Sequence, residues 1–558
     1  MSLAESIFLD RVPFTLSYDY IIYQDGNLYF AFNTKTKQIE FVGTDAGKVI
    51  NQALNNLTPN RTWKEKVMLK GNLPLSSGII IPDYTILDFR LATLLMNGNF
   101  TVITNNNRQG NSHIEVLGGV INAQGYNAGG TNAGDSLVYL SPVSYSKVKG
   151  ILFENLGSGA NCLSIGTEVI NNVVYSSMYD RIEDLVMIGP YGGMILTGVG
   201  HFVKNIRTIG VEDTAIALNG TTTPFGGHVI SDCYLDGAGI DCYASSTIND
   251  SQFYYSLIEN TIINAYKVSG SVGDIGLHLH NYFRRLILNN VEIKNCAGEG
   301  ILIEGVSGTP TELLLDNVII HDNQYAGIAG WNIRNLRLNN VKIYNNAKSG
   351  YSIFYITGGY NYGNPAGIYL WTGLGPSDTI ELFNVDSFDN QATATQLYSF
   401  IHENNTDKNL KWIGGYINKP VTFYIASWLL LKHIIGYDTA NFKVTGLSVP
   451  VGVSGAYGSA VSITSLSGVI TLPRVKITWG GTFGTGETVT VQITAVYSDG
   501  TTASITKSAT AVGSLWLTDD DVFALIIQGK DITQLQVSAS SNLASTSVTV
   551  TVNAYGKA

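Results

Sequence analysis

Residues 286–351 contain three segments that align with one another without gaps: LILNNVEIKNCAGEGI (286–301), LLLDNVIIHDNQYAGI (313–328) and LRLNNVKIYNNAKSGY (336–351). Asparagine, valine, isoleucine and glycine recur at fixed places in all three segments. The aligned residues are Asn290, Asn317 and Asn340; Val291, Val318 and Val341; Ile293, Ile320 and Ile343; and Gly300, Gly327 and Gly350. The segments are therefore copies of one structural repeat, and such a repeat must be recognised before any other element is assigned.

Each copy reads as two short strands of alternating apolar and polar residues, separated by a polar turn that contains glycine. A unit of this size cannot bury its own apolar face, so it must stack on its neighbours. The aligned isoleucines and valines then form apolar ladders inside the stack. The aligned asparagines form a ladder at a turn, where side-chain amides of successive coils can bond to one another. The pattern predicts an all-β chain whose main part is a parallel β-helix.

The same signature, a turn residue before an apolar-x-apolar strand, recurs along the chain. We find it at Gly119, Gly150, Asp184, Asn205, Asp232 and Asn260, and in a looser form at Asn384. Most intervals suit one coil of a β-helix, and the longer ones indicate loop insertions such as residues 352–380.

The two ends of the chain differ from the repeats. Residues 1–60 are predicted to form a cap module, with a β-meander over Tyr18–Phe41 and a helix over residues 44–57 whose N-cap is Thr44. Such a helix would cover the open first coil of the β-helix, predicted over residues 61–438. Residues 445–558 alternate Val, Thr and Ser between turn signals, which is typical of a jelly-roll-like β-sandwich.

Composition narrows the class of function. Only 14% of the 558 residues are charged, the net charge is −10, and 60 residues are glycine. These values disfavour a disordered chain, a helical bundle and a nucleic-acid-binding protein. The sequence shows no secretory signal and no apolar run long enough for a membrane span, so no membrane insertion is expected. Buried free thiols are favoured, and a disulfide between Cys233 and Cys242 is the alternative.

Val67–Phe89 has the form of a strand, a GxYxLSS-like turn and a second strand. It resembles the opening coils of pectin-lyase-like right-handed parallel β-helix proteins, which include pectate lyases, polygalacturonases and viral tailspikes. Residues 19–54 resemble a module that precedes such β-helices in hyperthermophilic archaea and their viruses. The low-charge composition, rich in Tyr and Asn, resembles that of virion proteins of acidophilic archaeal viruses, and the length is similar to that of petal proteins that decorate the turrets of archaeal turreted icosahedral viruses.

These resemblances imply a thermostable structural protein on a virion surface, bound to other virion proteins. It would shield the particle or engage host glycans or glycoproteins, and a homo-oligomer is possible. The alternative is an extracellular or virion-borne polysaccharide hydrolase or lyase. A cellular adhesin is a third reading.

Resemblance to polygalacturonases implies candidate catalytic residues. Glu212 and Asp213 match the paired carboxylates of that family loosely, and His228 matches its histidine. Two carboxylates can act as acid and base in glycoside hydrolysis. No convincing N-x-D motif precedes Glu212 and Arg284-Arg285 does not match the R-x-K motif of that family, so polar turn residues on a solvated face are the competing interpretation.

The sequence also contains candidate metal-binding and glycan-binding residues. Asp232, Asp236 and Asp241 are interpreted as turn residues, although a calcium site that includes Arg284 as a base is an alternative. His278 and His280 share one face of a strand, but no third ligand has a compelling spacing, so no metal and no cofactor are predicted. An aromatic loop suggests sugar stacking, against ordinary packing or a protein contact, and its residues are Tyr360, Tyr362, Tyr369 and Trp371.

Overall fold

The computed structural model describes the backbone of most of the chain. The exceptions are residues 1–17, 130–135, 221–223, 247, 249, 267–274, 306–310, 332, 351, 357–358, 372–378, 404–408, 420, 424–428, 433–445, 464–472, 519–520, 522–523, 526–531 and 557–558. The chain forms two compact units, residues 1–286 and residues 287–558.

The first unit contains one α-helix, α1 (Ala46–Asn55), and one 3₁₀ turn (Asp250–Gln252) among its described residues. Its strands are β1 (Tyr20–Asp25), β2 (Leu28–Asn33), β3 (Gln38–Gly43), β4 (Glu65–Leu75), β5 (Ile79–Ile81), β6 (Thr85–Met96), β7 (Ile103–Asn105), β8 (Asn111–Ser112), β9 (Glu115–Leu117), β10 (Val120–Asn122), β11 (Ser136–Leu140), β12 (Val143–Ser144), β13 (Lys147–Lys149), β14 (Leu152–Glu154), β15 (Asn161–Ile165), β16 (Thr167–Ile170), β17 (Val173–Ser176), β18 (Arg181–Glu183), β19 (Val186–Ile188), β20 (Gly192–Leu196), β21 (Phe202–Lys204), β22 (Arg207–Ile209), β23 (Thr214–Gly220), β24 (Phe225–Gly226), β25 (Val229–Ser231), β26 (Tyr234–Asp236), β27 (Ile240–Ala244), β28 (Phe253–Tyr254), β29 (Ser256–Asn264) and β30 (Leu277–Asn281).

The strands that follow along the chain are β31 (Leu286–Lys294), β32 (Ile301–Gly305), β33 (Thr311–Asp316), β34 (Ile319–His321), β35 (Ile328–Trp331), β36 (Ile333–Asn339), β37 (Lys342–Tyr344), β38 (Ser352–Ile356), β39 (Gly359–Gly363), β40 (Ala366–Trp371), β41 (Thr379–Phe383), β42 (Asp386–Phe388), β43 (Tyr398–Glu403), β44 (Asn409–Ile413), β45 (Val421–Phe423), β46 (Leu429–Lys432), β47 (Gly446–Val449), β48 (Val451–Gly452), β49 (Val461–Ile463), β50 (Pro473–Thr482), β51 (Val489–Tyr497), β52 (Thr502–Ala509), β53 (Gly513–Trp516), β54 (Ile532–Ser541) and β55 (Ser547–Gly556).

The chain folds as a right-handed parallel β-helix, as the repeats and the resemblance predict. Residues one coil apart pair in register, for example Val148 with Ile182, Ile182 with Val203 and Val203 with Ile230. All of these side chains are buried. The ladder of branched apolar side chains thus fills the interior of the coils and supplies the main driving force for folding.

The N-terminal meander and helix lie where the sequence places them. Strands β1, β2 and β3 pair antiparallel, and α1 buries the predicted apolar face. The predicted N-cap is wrong by one residue, because the Asp45 side chain, not that of Thr44, accepts the hydrogen bond from the Lys48 amide. The Asn51 side chain bonds to the Gly78 carbonyl and to the Ile80 amide, so the helix satisfies backbone groups beside the edge strand β5.

The aligned turn residues share a left-handed backbone. Their φ angles lie between 48° and 74° at Gly150, Asp184, Asn205, Asp232, Asn260, Asn290, Asn317, Asn340 and Asn384. Asparagine and aspartate adopt this conformation at lower cost than other residues with a side chain, which explains their recurrence. Gly119 does not share it: a Cβ there would lie 2.5 Å from the Ala92 carbonyl oxygen.

The predicted side-chain ladder at this turn is present. The Asn205 amide donates to Asp184 at 2.8 Å, and the Asn384 amide donates to Asn340 at 3.2 Å. The ladder therefore links coils through side chains as well as through the backbone.

Replacement of Asn317 provides a test of the turn. The side chain of Asn317 is exposed and its φ is 54°, so a substitution there acts mainly through the backbone. Asn317→Val should destabilise the fold by about 1–3 kcal/mol, since a β-branched residue is strained in the left-handed region. Asn317→Gly should stay within about 1 kcal/mol of wild type. Equal midpoints of urea unfolding for the two variants would contradict this account of the turn.

The C-terminal strands form two sheets, with the orders β47-β55-β50-β53 and β48-β54-β51-β52. Their common core contains Val475, Ile477, Val491, Ile493 and Val550. Two of these strands form a hairpin, since β51 pairs antiparallel with β52 and the Gly500 amide donates to the Tyr497 carbonyl. The exact domain boundaries, 1–60, 61–438 and 445–558, stay predictions.

All four cysteines, Cys162, Cys233, Cys242 and Cys296, are free and buried, as favoured by the sequence. No helix in the described part of the chain is long and apolar enough to cross a membrane.

Candidate functional site

The structure does not bring the three predicted catalytic residues together. Glu212 and Asp213 directly precede β23, while His228 directly precedes β25, which belongs to a different sheet. Glu212 is exposed and Asp213 is partly exposed, but His228 has no accessible surface. The histidine therefore cannot assist chemistry on a glycan at the surface, and neither sequence interpretation of it, catalytic or solvated, is right.

His228 belongs instead to a polar ladder inside the coils. At one position of each coil, the backbone amide donates to the side chain of the next coil: Ser146 to Asp180 at 2.8 Å, Asp180 to His201 at 3.3 Å, His201 to His228 at 3.4 Å and His228 to Ser256 at 3.3 Å. The imidazoles of His201 and His228 stack with centroids 5.1 Å apart. Each of these side chains accepts a hydrogen bond from a buried backbone amide that has no partner in the strand pairing.

Burial perturbs the ionisation of this interior ladder. It lowers the pKa of His228 well below its ordinary value, and the neighbouring His201 lowers it further. Burial raises the pKa of Asp180, although hydrogen bonding and charge at His201 oppose that rise. His228 is thus a neutral structural group in the folded protein.

Of the four predicted glycan-binding side chains, the structure describes one, and the prediction is wrong for that one. Tyr369 is 1% exposed and lies between Ala329 and Ile401 of the flanking strands, so no sugar can reach its ring. The side chains of Tyr360, Tyr362 and Trp371 lie outside the described residues.

A different set of aromatic side chains forms a regular stack on the first unit. Tyr84, His113, Tyr145 and Tyr179, here called the aromatic column, occupy the same position in four successive coils. Their centroids are 4.7, 5.7 and 5.7 Å apart, and the interplanar angles are 6°, 29° and 24°. Tyr145 and Tyr179 stay more than half exposed. The column therefore presents aromatic surface to solvent over several coils.

The column ends at two glycines. Val199 pairs with both Met178 and Gly226, so Gly200 and Gly227 follow Tyr179 at the same position. A Cβ at Gly200 would lie 2.6 Å from the Tyr179 ring, while Gly227 meets only ordinary contacts. Tyr179 thus packs against the Gly200 backbone, and neither Gly200 nor Gly227 supplies a side chain at this position of the column. Tyr255, one coil further, is 52% exposed, and Arg285 lies 5.6 Å from its ring centroid.

The backbone of the aromatic column is strained. All four residues have φ angles between 51° and 59°, where bulky residues are rare. Gly200 and Gly227 have φ angles of 70° and 71° without a side chain to strain. Bulky aromatic residues held in this region are a feature that often marks a functional site.

The other end of the column borders a groove. This groove has a volume of about 370 Å³, and its lining includes Tyr84, Arg61, Asn60 and Asn106. The Arg61 guanidinium donates to the carbonyls of Tyr84, Asp83 and Thr58, which fixes the first rung of the column. Burial lowers the pKa of Arg61 despite the nearby carboxylates.

A second cluster joins Asp241 to His278 and His280. Strand β27 pairs with β30 so that Asp241 lies opposite His278 and Tyr243 lies opposite His280. Asp241 Oδ1 is 3.0 Å from His280 Nε2 and 3.3 Å from His278 Nδ1, and the two imidazoles stack at 4.3 Å. Burial favours a higher pKa for Asp241, but the hydrogen bonds from both histidines outweigh it and hold the pKa well below its usual range. The sequence interpretation missed Asp241 as the third member.

The predicted carboxylate group does not converge. Asp236 accepts hydrogen bonds from Asn264 and Tyr266, and Asp232 belongs to the turn ladder through Asn260. Only Asp241 of the three lies on β27 with the histidines nearby. Arg284 donates to the Ile248 carbonyl.

A sequence signal for the aromatic column existed. His113 lies six residues before the turn residue of its coil, while Tyr145, Tyr179, Gly200 and Gly227 lie five residues before theirs. Apart from Gly119, which does not share the turn conformation, the turn residues are correctly aligned, so the column can be read at a fixed offset from them.

Comparison with known proteins agrees with the fold. Residues 255–366 match the family described as right handed beta helix region. No curated protein matches the chain. One similar solved structure is a tailspike protein of E. coli bacteriophage HK620 in complex with a pentasaccharide, with 11% identity, coverage of 91% of this chain and 90% of that chain, and a TM-score of 0.43.

Two enzymes are also similar in structure. The A-module of mannuronan C-5 epimerase AlgE4 from Azotobacter vinelandii has 12% identity, covers 70% of this chain and 92% of its own length, and gives a TM-score of 0.38. A DFA-IIIase from Arthrobacter chlorophenolicus A6 has 11% identity, with 71% and 96% coverage and a TM-score of 0.39. At these identities the likeness concerns the fold, and it carries no argument about function.

Proposed function

We propose that this protein binds a polysaccharide at the glycine end of the aromatic column. The observation that carries the proposal is the Tyr179 ring, which is stacked on Tyr145 on one side, packs on Gly200 on the other and is still 51% exposed. Gly227 leaves a gap at the next position of the column, and Tyr255 follows one coil further. A sugar ring can lie in this gap over Gly227, against the exposed part of the Tyr179 ring.

The chemistry of the gap suits a carbohydrate. A tyrosine ring offers a stiff apolar face for the sugar and a hydroxyl that can bond to sugar hydroxyls. The column repeats at the spacing of stacked strands, about 4.8 Å, which is close to the length of one sugar ring. Several sugar residues of an extended chain can therefore contact successive positions.

Binding is favoured over cleavage. The hydrolase hypothesis needs His228 beside Glu212 and Asp213, and the burial of His228 removes that group from any surface site. The placement of the protein on a virion surface, with other virion proteins as partners, remains part of this proposal because only the sequence resemblance supports it. Assembly into a homo-oligomer and an extracellular location are likewise part of this proposal.

The proposal is tested by titrating the full chain with a panel of neutral and carboxylated oligosaccharides. Tyr179→Ala should weaken binding by about two- to tenfold, because one aromatic stacking contact contributes about 0.5–1.5 kcal/mol beyond its buried area. Gly227→Tyr should have a similar effect by filling the gap while Tyr179 is retained. Its φ of 71° is near that of the column tyrosines.

Tyr234→Ala is the matched control, since Tyr234 is a similarly exposed tyrosine of the same unit on strand β26. It should bind like wild type. Wild-type protein that binds no member of the panel, or Tyr179→Ala and Gly227→Tyr variants that bind as tightly as wild type, would overturn the proposal.

A further inference from the structure

We propose that Asp241, His278 and His280 form a binding site for a divalent transition-metal ion such as Zn²⁺. The three side chains come from two adjacent strands, β27 and β30, and one ligand atom from each lies within 4.8 Å of the others. This site is independent of the proposed glycan-binding gap.

The distances agree with tetrahedral coordination. Metal–ligand bonds of about 2.0–2.1 Å in a tetrahedral zinc site place neighbouring ligand atoms about 3.3 Å apart. Asp241 Oδ1 is 3.3 Å from His278 Nδ1 and 3.0 Å from His280 Nε2. Two edges of the coordination polyhedron are therefore already formed, and an imidazole must rotate out of the His278–His280 stack for both nitrogens to face one ion.

The backbone holds the donors in place. Asp241 and His278 are opposite each other in a continuous parallel ladder that runs from Ile240–Leu277 to Ala244–Asn281. Cys242 and Leu279, between the polar residues, point into the buried core. A ligand set carried by paired strands loses little conformational entropy when an ion binds.

The donor set selects the type of ion. Two imidazole nitrogens and one carboxylate oxygen suit Zn²⁺, Co²⁺ or Ni²⁺, whereas Ca²⁺ and Mg²⁺ prefer sites built from oxygen atoms. The side chains of Asp241 and His280 are each 19% exposed, so the site is open to solvent on one side. Three protein ligands would leave the fourth position for water or a ligand oxygen atom.

Metal titration of the full chain tests the proposal. After treatment with a chelator, wild-type protein should bind one Zn²⁺ per chain in calorimetry, and Co²⁺ should give the visible absorption bands of a tetrahedral site. Asp241→Asn and His280→Ala should each weaken Zn²⁺ binding by about tenfold or more. Melting curves establish that the variants are folded.

His321→Ala is the control. His321 is also flanked by carboxylates, at 2.6 Å from Asp322 and 3.0 Å from Glu292, but it uses both ring nitrogens for these contacts. This variant should bind Zn²⁺ like wild type. Wild-type protein that binds no ion, a site whose affinity is unchanged in folded Asp241→Asn and His280→Ala variants, or a site lost in His321→Ala would each overturn the proposal. If Asp241→Asn does not fold, His280→Gln takes its place.

Discussion

Phe253→Ala is expected to destabilise the first unit by about 3–5 kcal/mol. Phe253 is 1% exposed and meets Phe225 and Phe283 edge to face, with centroids 5.5 and 5.2 Å away. Removal of its ring would leave a cavity. Pairing holds strand β28 in place, so the strand cannot move in to fill that cavity, and the variant loses both transfer free energy and packing contacts. Urea unfolding followed by circular dichroism measures the loss.

Tyr254→Ala is the matched control for this prediction. Tyr254 is the next residue of the same strand, but its side chain points outward and is 47% exposed. This variant should stay within about 0.5–1 kcal/mol of wild type. Equal losses in the two variants would show that the strand, not the aromatic cluster, determines stability there.

His228→Asn is expected to remove part of the acid sensitivity of the fold. The pKa of His228 is lowered by burial and by His201, so the unfolded chain binds a proton at this residue that the folded chain does not. The stability due to neutral His228 is therefore present above the unfolded pKa, about 6.5, and is lost as the pH falls toward the folded pKa. Between pH 7 and pH 5 the loss is up to about 2 kcal/mol.

Asparagine is a suitable replacement because the second unit uses it for the same purpose. Asn323 Oδ1 accepts from the Cys296 amide, and Asn346 Oδ1 accepts from the Asn323 amide. His228→Asn retains an acceptor for the His201 amide without a group that titrates near neutral pH. Unfolding free energies measured from pH 8 to pH 5 should fall less steeply in the variant than in wild type.

The other titratable groups near His228 belong to the same ladder. The His201 ring stacks on the His228 ring. On the far side of His201, Asp180 Oδ2 lies 3.3 Å from His201 Nδ1. The raised pKa of Asp180 acts in the opposite direction, since its protonation in the folded state adds stability as the pH falls. Identical slopes for wild type and His228→Asn would contradict the assignment of the acid sensitivity to His228.

A chain with only 14% charged residues has a surface that changes little in an acidic medium, because few carboxylates are there to be protonated. The interior responds differently, because acid destabilises a fold that holds a buried neutral histidine. Composition reports mainly on the surface of a β-helix, where ladders of like charge would repel one another. It cannot report which of the few titratable residues lie inside.

Much of the fold followed from local patterns. The alternation of apolar residues, the asparagine and aspartate turns and the helix before the first coil were read correctly because each depends on residues close together in the chain. The position of the N-cap was wrong by one residue, since Thr44 and Asp45 are both good caps and only packing decides between them.

The candidate sites were harder to predict. Asp241, His278 and His280 are 37 and 2 residues apart along the chain, and the first interval spans a loop whose length hides the strand register. Tyr369 was assigned to a surface although the flanking strands cover it. In both cases the missing information was which residue of the next coil lies opposite.

The sequence by itself determined that this protein is a stack of short coils with apolar ladders inside and with asparagine and aspartate at the turns. Only the tertiary structure decided that His228 is an interior link, that Tyr179 borders two glycines, and that Asp241 meets two histidines. The physical reason is that a repeat fixes its own strand pattern locally, whereas contacts between coils depend on register across loops of variable length.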